Sequence, residues 1–467
     1  MTDTLNWLNA RKLAKAYGKR QISPVEVAKA CLAQMATHES AINAMTLIDA
    51  KTTLAMARAS EQRWMKGRQL GALDGVPVLI KDLLLVKGWP TLRGSRIVDR
   101  VGPWDHDAPA VARLREAGSV FAGLTTTPEF GWKGVTDSPL TGITRNPWNL
   151  ALTPGGSSGG SAAALAAGYG PLAIGTDGGG SIRIPAGFTG TFGLKPSFGR
   201  VPAWPLSPFG TVAHVGPMTR SVADAALMLN EMAKPDNRDW FSLPYTPVDF
   251  SKFDQRLNGL RVAFSPDLGY VEVAADVARL VKSAVGKLKQ LGAKVTVIAP
   301  GFADPAPCFR VLWWSAAGNM LGGLPPDKLA LLDPALAEVV QQAASITVQD
   351  IFEANKTRGV LGTKMRLFME NFDVLITPTL PITAFKAGLL QADDPDPQGK
   401  WVNWTPFTYP FNLTQQPAAS VPCGFSSSGL PVGLQVVGKM FDDATVLKVC
   451  AAYEAATEFH RQKPTGF

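Results

Sequence analysis

Apolar residues recur along this chain with two alternating periods, and the switching between them predicts an α/β fold. In Leu73-Asp-Gly-Val-Pro-Val-Leu-Ile-Lys-Asp82 a turn leads into a strand-like run. At period two, Val76, Val78 and Ile80 share one face, while Pro77, Leu79 and Lys81 share the other. The period lengthens between Ala274 and Leu291, where Val277, Leu280, Val281, Val285 and Leu288 form one helical stripe. With Arg261–Ser265 before it and Lys294–Ile298 after it, that helix completes a strand, helix, strand unit. Asp107–Gly118 reads as a helix closed by its glycine, and Ser119–Leu124 as the strand that follows. Asp373–Ile376 and Pro431–Val437 add strands, and Ala444–Phe459 ends the chain as a helix.

Residues 1–68 read as a helical cover, with Ser23-Pro24 opening one helix and Ala50–Trp64 forming another. Ser221 caps a helix running to Asn230, with Asp224 at its third position. The polar, Pro- and Asp-rich residues 233–258 read as an excursion or a subdomain boundary. Residues 301–325 and 385–411 are less regular and hold Trp313, Trp314, Trp401, Trp404, Phe407 and Tyr409. These aromatics belong either to the core or to the wall of an apolar substrate pocket.

Composition narrows the function classes. With 467 residues and 46% hydrophobic content, the chain can bury a large core, and length alone allows two or three domains. The net charge is +8, yet Lys and Arg are scattered and form no basic run, so no nucleic-acid partner is expected. Cys31, Cys308, Cys423 and Cys450 are far apart and lack metal-ligand spacing, as are His38, His106, His214 and His460. Reduced thiols in a cytoplasmic protein without metal or cofactor are the expectation. No secretory segment is visible and no run approaches the ~18 apolar residues of a spanning helix, so no membrane association is expected.

The chemistry concentrates in two Gly/Ser clusters, Gly155-Gly-Ser-Ser-Gly-Gly-Ser161 and Gly178-Gly-Gly-Ser-Ile-Arg183. Between them, Ala162–Ala167 reads as a small-residue helix ended by Gly168, and Pro171–Gly175 as a buried strand. Loop, helix, strand and loop in that order can bring both clusters to one edge of a helix-covered sheet. A flexible linker would lack the helix and strand. Phosphate-binding and dinucleotide fingerprints are missing. Gly155-x-Ser157-x-Gly159 and Gly156-x-Ser158-x-Gly160 both match the nucleophile elbow of α/β-hydrolases, but Thr153-Pro-Gly-Gly156 stands where the elbow needs a strand. His214 and His460 carry no independent signal as a base.

The serines therefore need another proton acceptor, and Lys81 on its apolar face is the candidate. Lysine ordinarily titrates near ~10.4, so work as a base near neutrality requires a depression of roughly three units, worth about 4 kcal/mol. The competing reading is a strand-end lysine that snorkels to water.

Taken together, these residues resemble the amidase signature hydrolases, whose Gly-Gly-Ser-Ser-Gly-Gly-Ser segment, Gly-Gly-Ser-Ile-Arg segment and upstream lysine form a Ser-Ser-Lys triad. The resemblance extends through 73–82, 107–131, 146–196 and 216–229 and reappears at 412–433. It implies a mixed, twisted β-sheet core covered on both sides by α-helices, in one domain over 1–467. Within it, 69–232 would be the signature core and 259–467 would complete the sheet and pocket.

The resemblance makes Ser181 the nucleophile, Ser157 a relay that follows a cis peptide bond, and Lys81 the base. It makes the N–H groups of Gly178, Gly179, Gly180 and Ser181 the oxyanion hole, with Ser158, Asp177 and Arg183 in support. The reaction it implies is hydrolysis of a small-molecule amide through an acyl-enzyme. Ester or urethane hydrolysis, or a transamidase subunit feeding ammonia to a partner, would use the same triad. A homodimer is also implied. Leu124, where many members have lysine, and Gln415, where glycine is common, depart from the family pattern.

Overall fold

Eleven strands drawn from residues 45 to 438 hydrogen-bond into one sheet in the computed structural model, which describes residues 2–392 and 400–467. In chain order the strands are β1 (Met45–Leu47), β2 (Pro77–Lys81), β3 (Val120–Thr125), β4 (Asp137–Ser138), β5 (Gly142–Ile143), β6 (Leu172–Asp177), β7 (Phe192–Lys195), β8 (His214–Thr219), β9 (Arg261–Phe264), β10 (Lys294–Val297), β11 (Val374–Pro378), β12 (Ala418–Phe425) and β13 (Pro431–Gly438). β4 and β5 pair apart as a small ribbon; the others run β1-β3-β2-β6-β8-β7-β12-β13-β11-β9-β10. β3, β2 and β6 are mutually parallel, as are β11, β9 and β10, and the strands between are antiparallel.

Period-two alternation assigns the faces correctly. Val78, Ile80, Leu172 and Ile174 join one buried cluster with Val222 and Leu229 of the helix Val222–Met232 and with Leu447 of the helix Asp443–Ala455. Leu79 and Ala173 look the other way, onto the helix Gly159–Ala166. Helices therefore cover both faces. Their ends follow the expected chemistry: Ser23 and Glu26 form a reciprocal capping box at Pro24–Ile42, and the Ser221 hydroxyl accepts from Asp224 N.

Several elements differ from expectation. β1, β7, β8 and β12 carry no clear signal in the sequence. β8 and β12 each contain a proline, and β7 ends in a buried lysine, so their patterns are broken where tertiary pairing still holds. Residues 306–321 form a regular helix rather than an irregular stretch, and the last helix stops at Ala455. Residues 233–258 contain no helix or strand. Of the stretch 385–411, residues 393–399 lie outside those described.

Candidate active site

The parallel pairing of β2 with β6, in register at Ile80 and Ile174, brings the carboxyl ends of both strands to one edge. Lys81 is the last residue of β2, while Thr176 and Asp177 end β6. The loop entering the helix Gly159–Ala166 passes over this edge and carries Ser157 and Ser158. Lys81 Nζ lies within hydrogen-bond distance of three hydroxyls, Ser157 Oγ at 2.7 Å, Ser158 Oγ at 2.9 Å and Thr176 Oγ1 at 2.9 Å. Lys81 is 0% exposed, which removes the snorkelling alternative. Burial pushes its amine well below the ordinary lysine range, against the opposing pull of the Asp177 charge.

Ser158 is held from two sides, since its Oγ donates to Thr176 O at 3.2 Å and accepts from Thr176 N at 3.2 Å. Its own N–H donates to Ser181 O at 3.1 Å, tying the two Gly/Ser loops together. The peptide bond between Gly156 and Ser157 is cis. A Cβ at Gly156 would lie 2.5 Å from Val135 O and 2.8 Å from Val135 N, so only glycine fits against that backbone.

The second loop is organised by a buried ion pair. Arg183 donates to Asp177 through Nε at 3.0 Å and Nη2 at 2.9 Å, and reaches Thr408 O, Gln435 Oε1 and Asn412 Oδ1. Burial pushes the Asp177 carboxyl up, but the Arg183 guanidinium outweighs it and holds the group well below the usual carboxylate range. Asp177 in turn accepts from Gly180 N at 2.8 Å and Ile182 N at 3.2 Å, which fixes the backbone on either side of Ser181. Among the described residues, the N–H groups of Gly178, Gly179 and Ser181 have no protein acceptor. Aromatic rings back the loop closely: an added Cβ would lie 2.7 Å from the Trp313 ring at Gly178 and 2.7 Å from the Phe309 ring at Gly179.

Ser157, Thr176, Gly178 and Ser181 all open onto one cavity of about 200 Å³. Its far walls are mostly apolar, with Phe130, Phe209, Trp313 and Met320 among them. Phe209 stacks on Trp313 at 3.7 Å between ring centroids, and Trp313 Nε1 donates to Trp132 O at 2.9 Å. Trp313 is therefore a wall residue, whereas Trp401, Trp404, Phe407 and Tyr409 are buried in the core behind it. His214 borders the cavity but turns Nδ1 toward Val212 O at 2.8 Å, while Nε2 lies 3.3 Å from Lys195 Nζ. Burial lowers its pKa well below the ordinary histidine value, and neither ring nitrogen engages a serine.

Two parts of the site escape a reading of the sequence. Thr176 lies on the Ile174 face by strict alternation, opposite to that of Lys81, yet its hydroxyl lies 2.9 Å from Lys81 Nζ. The wall formed by residues 198–213 is rich in proline and glycine and has no period to read; composition alone marks it as loop.

The large mixed sheet thus brings a fully buried lysine, two consecutive serines and a glycine loop with unclaimed N–H groups to one cavity. The family model for amidases matches residues 26–447, and the chain belongs to the amidase signature family. It is a hydrolase of amide bonds. It is 38% identical over 472 residues to an acylamidase of Rhodococcus erythropolis, with 98% of each chain covered. It is 35% identical over 487 residues to a glutamyl-tRNA(Gln) amidotransferase subunit from Carboxydothermus hydrogenoformans, covering 98% of this chain and 99% of that one. The crystal structure of a bacterial aryl acylamidase of the amidase signature family superposes with a TM-score of 0.90 at 31% identity, covering 99% of both chains. No helix among the described residues is long and apolar enough to cross a membrane.

Proposed function

We propose that Ser181 is the nucleophile, Ser157 the proton relay and Lys81 the base of an acyl-enzyme cycle that cleaves N-acyl amides. The observation that carries this reading is the 2.7 Å contact between Lys81 Nζ and Ser157 Oγ at a fully buried lysine. Desolvation keeps the amine neutral, so its lone pair can take a proton. Ser181 Oγ attacks the carbonyl carbon, its proton passes to Ser157 Oγ, and the proton of Ser157 passes to Lys81. As the C–N bond breaks, the same relay runs backwards and protonates the departing nitrogen. Water then attacks the acyl-enzyme by the same route, releasing the carboxylic acid and restoring Ser181.

The N–H groups of Gly178, Gly179 and Ser181 serve the developing oxyanion, each donor being worth about 3 kcal/mol in such sites. Gly180 N–H already serves Asp177, so its part is to aim the loop. Asp177 and Arg183 act as positioning residues, and Thr176 joins Ser158 in orienting Lys81. The apolar walls and the acylamidase relatives support an acyl amide with an apolar group on one side of the scissile bond.

The test is turnover on a panel of anilides, primary amides, esters and carbamates. The purified chain is expected to cleave anilides unaided, and Ser181→Ala to lose at least ~1,000-fold in kcat. Retention of near wild-type turnover by Ser181→Ala would overturn the assignment. A wild-type chain active on esters or carbamates but on no amide would move the preferred bond, leaving the triad in place.

A further inference from the structure

The cavity wall carries one charge that the chemistry above does not use. Among the described residues lining it, Arg93 and Asp239 are the charged ones, beside His214. Asp239 is committed: its carboxylate accepts from Ala203 N and Phe241 N, both at 2.9 Å. His214 is turned to Val212 O and Lys195. Arg93 is different. It is half-buried, and among the described residues no acceptor takes a hydrogen bond from its guanidinium and no carboxylate lies within ion-pair distance. An arginine partly withdrawn from water without a partner loses part of its hydration with no protein acceptor in exchange.

The backbone shows that this placement is built in. Arg93 sits in the left-handed region at φ 58°, where a side chain is unfavourable, and the chain holds it there from both sides. Its carbonyl accepts from Phe130 N at 2.8 Å, while the buried Asp82 carboxyl accepts from Leu92 N at 2.9 Å and Gly94 N at 3.5 Å. Gly94 has no room for a Cβ, which would meet Thr127 O at 2.5 Å. Asp82 thus spends its oxygens on the loop's own N–H groups. Its charge still acts on Arg93 through space, but without a hydrogen bond. What remains is a fork of N–H donors on a residue that lines the cavity that also holds Ser181.

We propose that Arg93 is a specificity residue that binds a free carboxylate on the substrate, so that the preferred amides carry an acid group on one half and an apolar or aryl group on the other. This inference rests on the assignment of the cavity to amide hydrolysis at Ser181. The guanidinium supplies two parallel N–H donors, the geometry a carboxylate matches best. The acid can belong to the acyl half, as in a half-amide of a dicarboxylic acid, or to the amine half, as in an N-acyl aminobenzoate; both present the same anion to the same fork.

Matched pairs separate these sources. For the acyl half, succinanilate is compared with pentananilide; for the amine half, 4-acetamidobenzoate is compared with 4-methylacetanilide. In the wild type, the carboxylate member of at least one pair is expected to show a kcat/KM about tenfold or more above its neutral mate, in line with a charged hydrogen bond. In Arg93→Met that ratio is expected to fall about 10- to 100-fold, mainly through KM, and Arg93→Lys is expected to recover part of it. Should Arg93→Met fail to fold, the Arg93→Lys ratio and the wild-type ratio still decide. A wild type that favours the neutral member in both pairs overturns the proposal, as does a ratio that Arg93→Met leaves unchanged. Ser181→Ala, run on the neutral members, tells this failure apart from failure of the hydrolase assignment, because only the latter leaves that variant active.

Discussion

The contact between Lys81 Nζ and Ser157 Oγ spans 2.7 Å and is closed to bulk solvent, with the lysine at 0% and the serine at 1% exposure. Burial of the amine beside this contact pushes its pKa well below the ordinary lysine range, against the pull of the Asp177 charge, and the consequences reach both rate and stability.

For rate, kcat/KM on an anilide is expected to rise with pH through the depressed Lys81 pKa and then hold level, since only the neutral amine accepts a proton. Lys81→Met is expected to lose that acidic limb together with most of the turnover. For stability, the unfolded chain binds a proton at Lys81 that the folded chain does not, so folding gains as pH rises from the folded pKa toward ~10.4, by up to about 1.4 kcal/mol per pH unit. Denaturant midpoints at several pH values should therefore climb more steeply in the wild type than in Lys81→Met. Equal slopes would mean that the lysine is charged in the folded protein.

Gly156→Ala places a methyl group 2.5 to 2.8 Å from the backbone of Val135, which has no flexible side-chain end to yield. A loss of about 1–3 kcal/mol is expected from overpacking, with a drop in kcat as Ser157 moves off Lys81. Gly286→Ala is the control. It lies within the helix Ala275–Gln290 with nothing within 4 Å of an added Cβ, and it should gain about 0.5–1 kcal/mol. Thermal melts of the two variants moving in the same direction would contradict this.

Arg183→Met strands the Asp177 carboxylate in a site with 0% exposure, and a loss of about 3–5 kcal/mol is expected. The sign with pH is informative. In the wild type the Asp177 pKa is depressed, so its contribution is present above the unfolded carboxylate range and fades as pH falls through the folded value. Without Arg183, burial is left to raise that pKa, so the deficit of the variant should be larger at pH 8 than at pH 4. Asp177→Asn combined with Arg183→Met should cost less than the two single changes added together. Additive losses in denaturant melts would show that the two side chains are not coupled.

How far these features are legible from the chain depends on the residue. Alternation alone places Lys81 on the right face, because β2 is a short, wholly buried strand whose two faces meet different helices. The loop, helix, strand, loop order brings the Ser157 and Ser181 clusters together as expected, and the backbone contact from Ser158 N to Ser181 O records it. Sequence does not separate the N–H group of Gly180 from those of its neighbours, because that distinction depends on where the Asp177 carboxylate turns. Nor does it single out Thr176 or the wall at 198–213, where a strand end and a proline-rich segment obey tertiary contacts rather than a period. The aromatic residues split for a similar reason: Trp313 and Trp401 pack edge to face at 5.9 Å, and which ring meets the cavity depends on depth that local sequence does not encode.

The far wall of the cavity has a consequence for how such an enzyme diversifies. The groups proposed to move protons come from residues 81, 157–158 and 176–181, whereas Phe209, Trp313 and Met320 come from a loop and a helix that contribute no hydrogen bond to Lys81. The loop carrying Phe209 can therefore vary without removing a contact of Lys81, whereas Trp313, whose ring backs Gly178, ties its part of the wall to the serine loop. A lineage can exchange one acyl group for another by drift in the Phe209 loop while the proton path stays untouched, and the same division lets an engineer randomise 201–209 without rebuilding the catalyst.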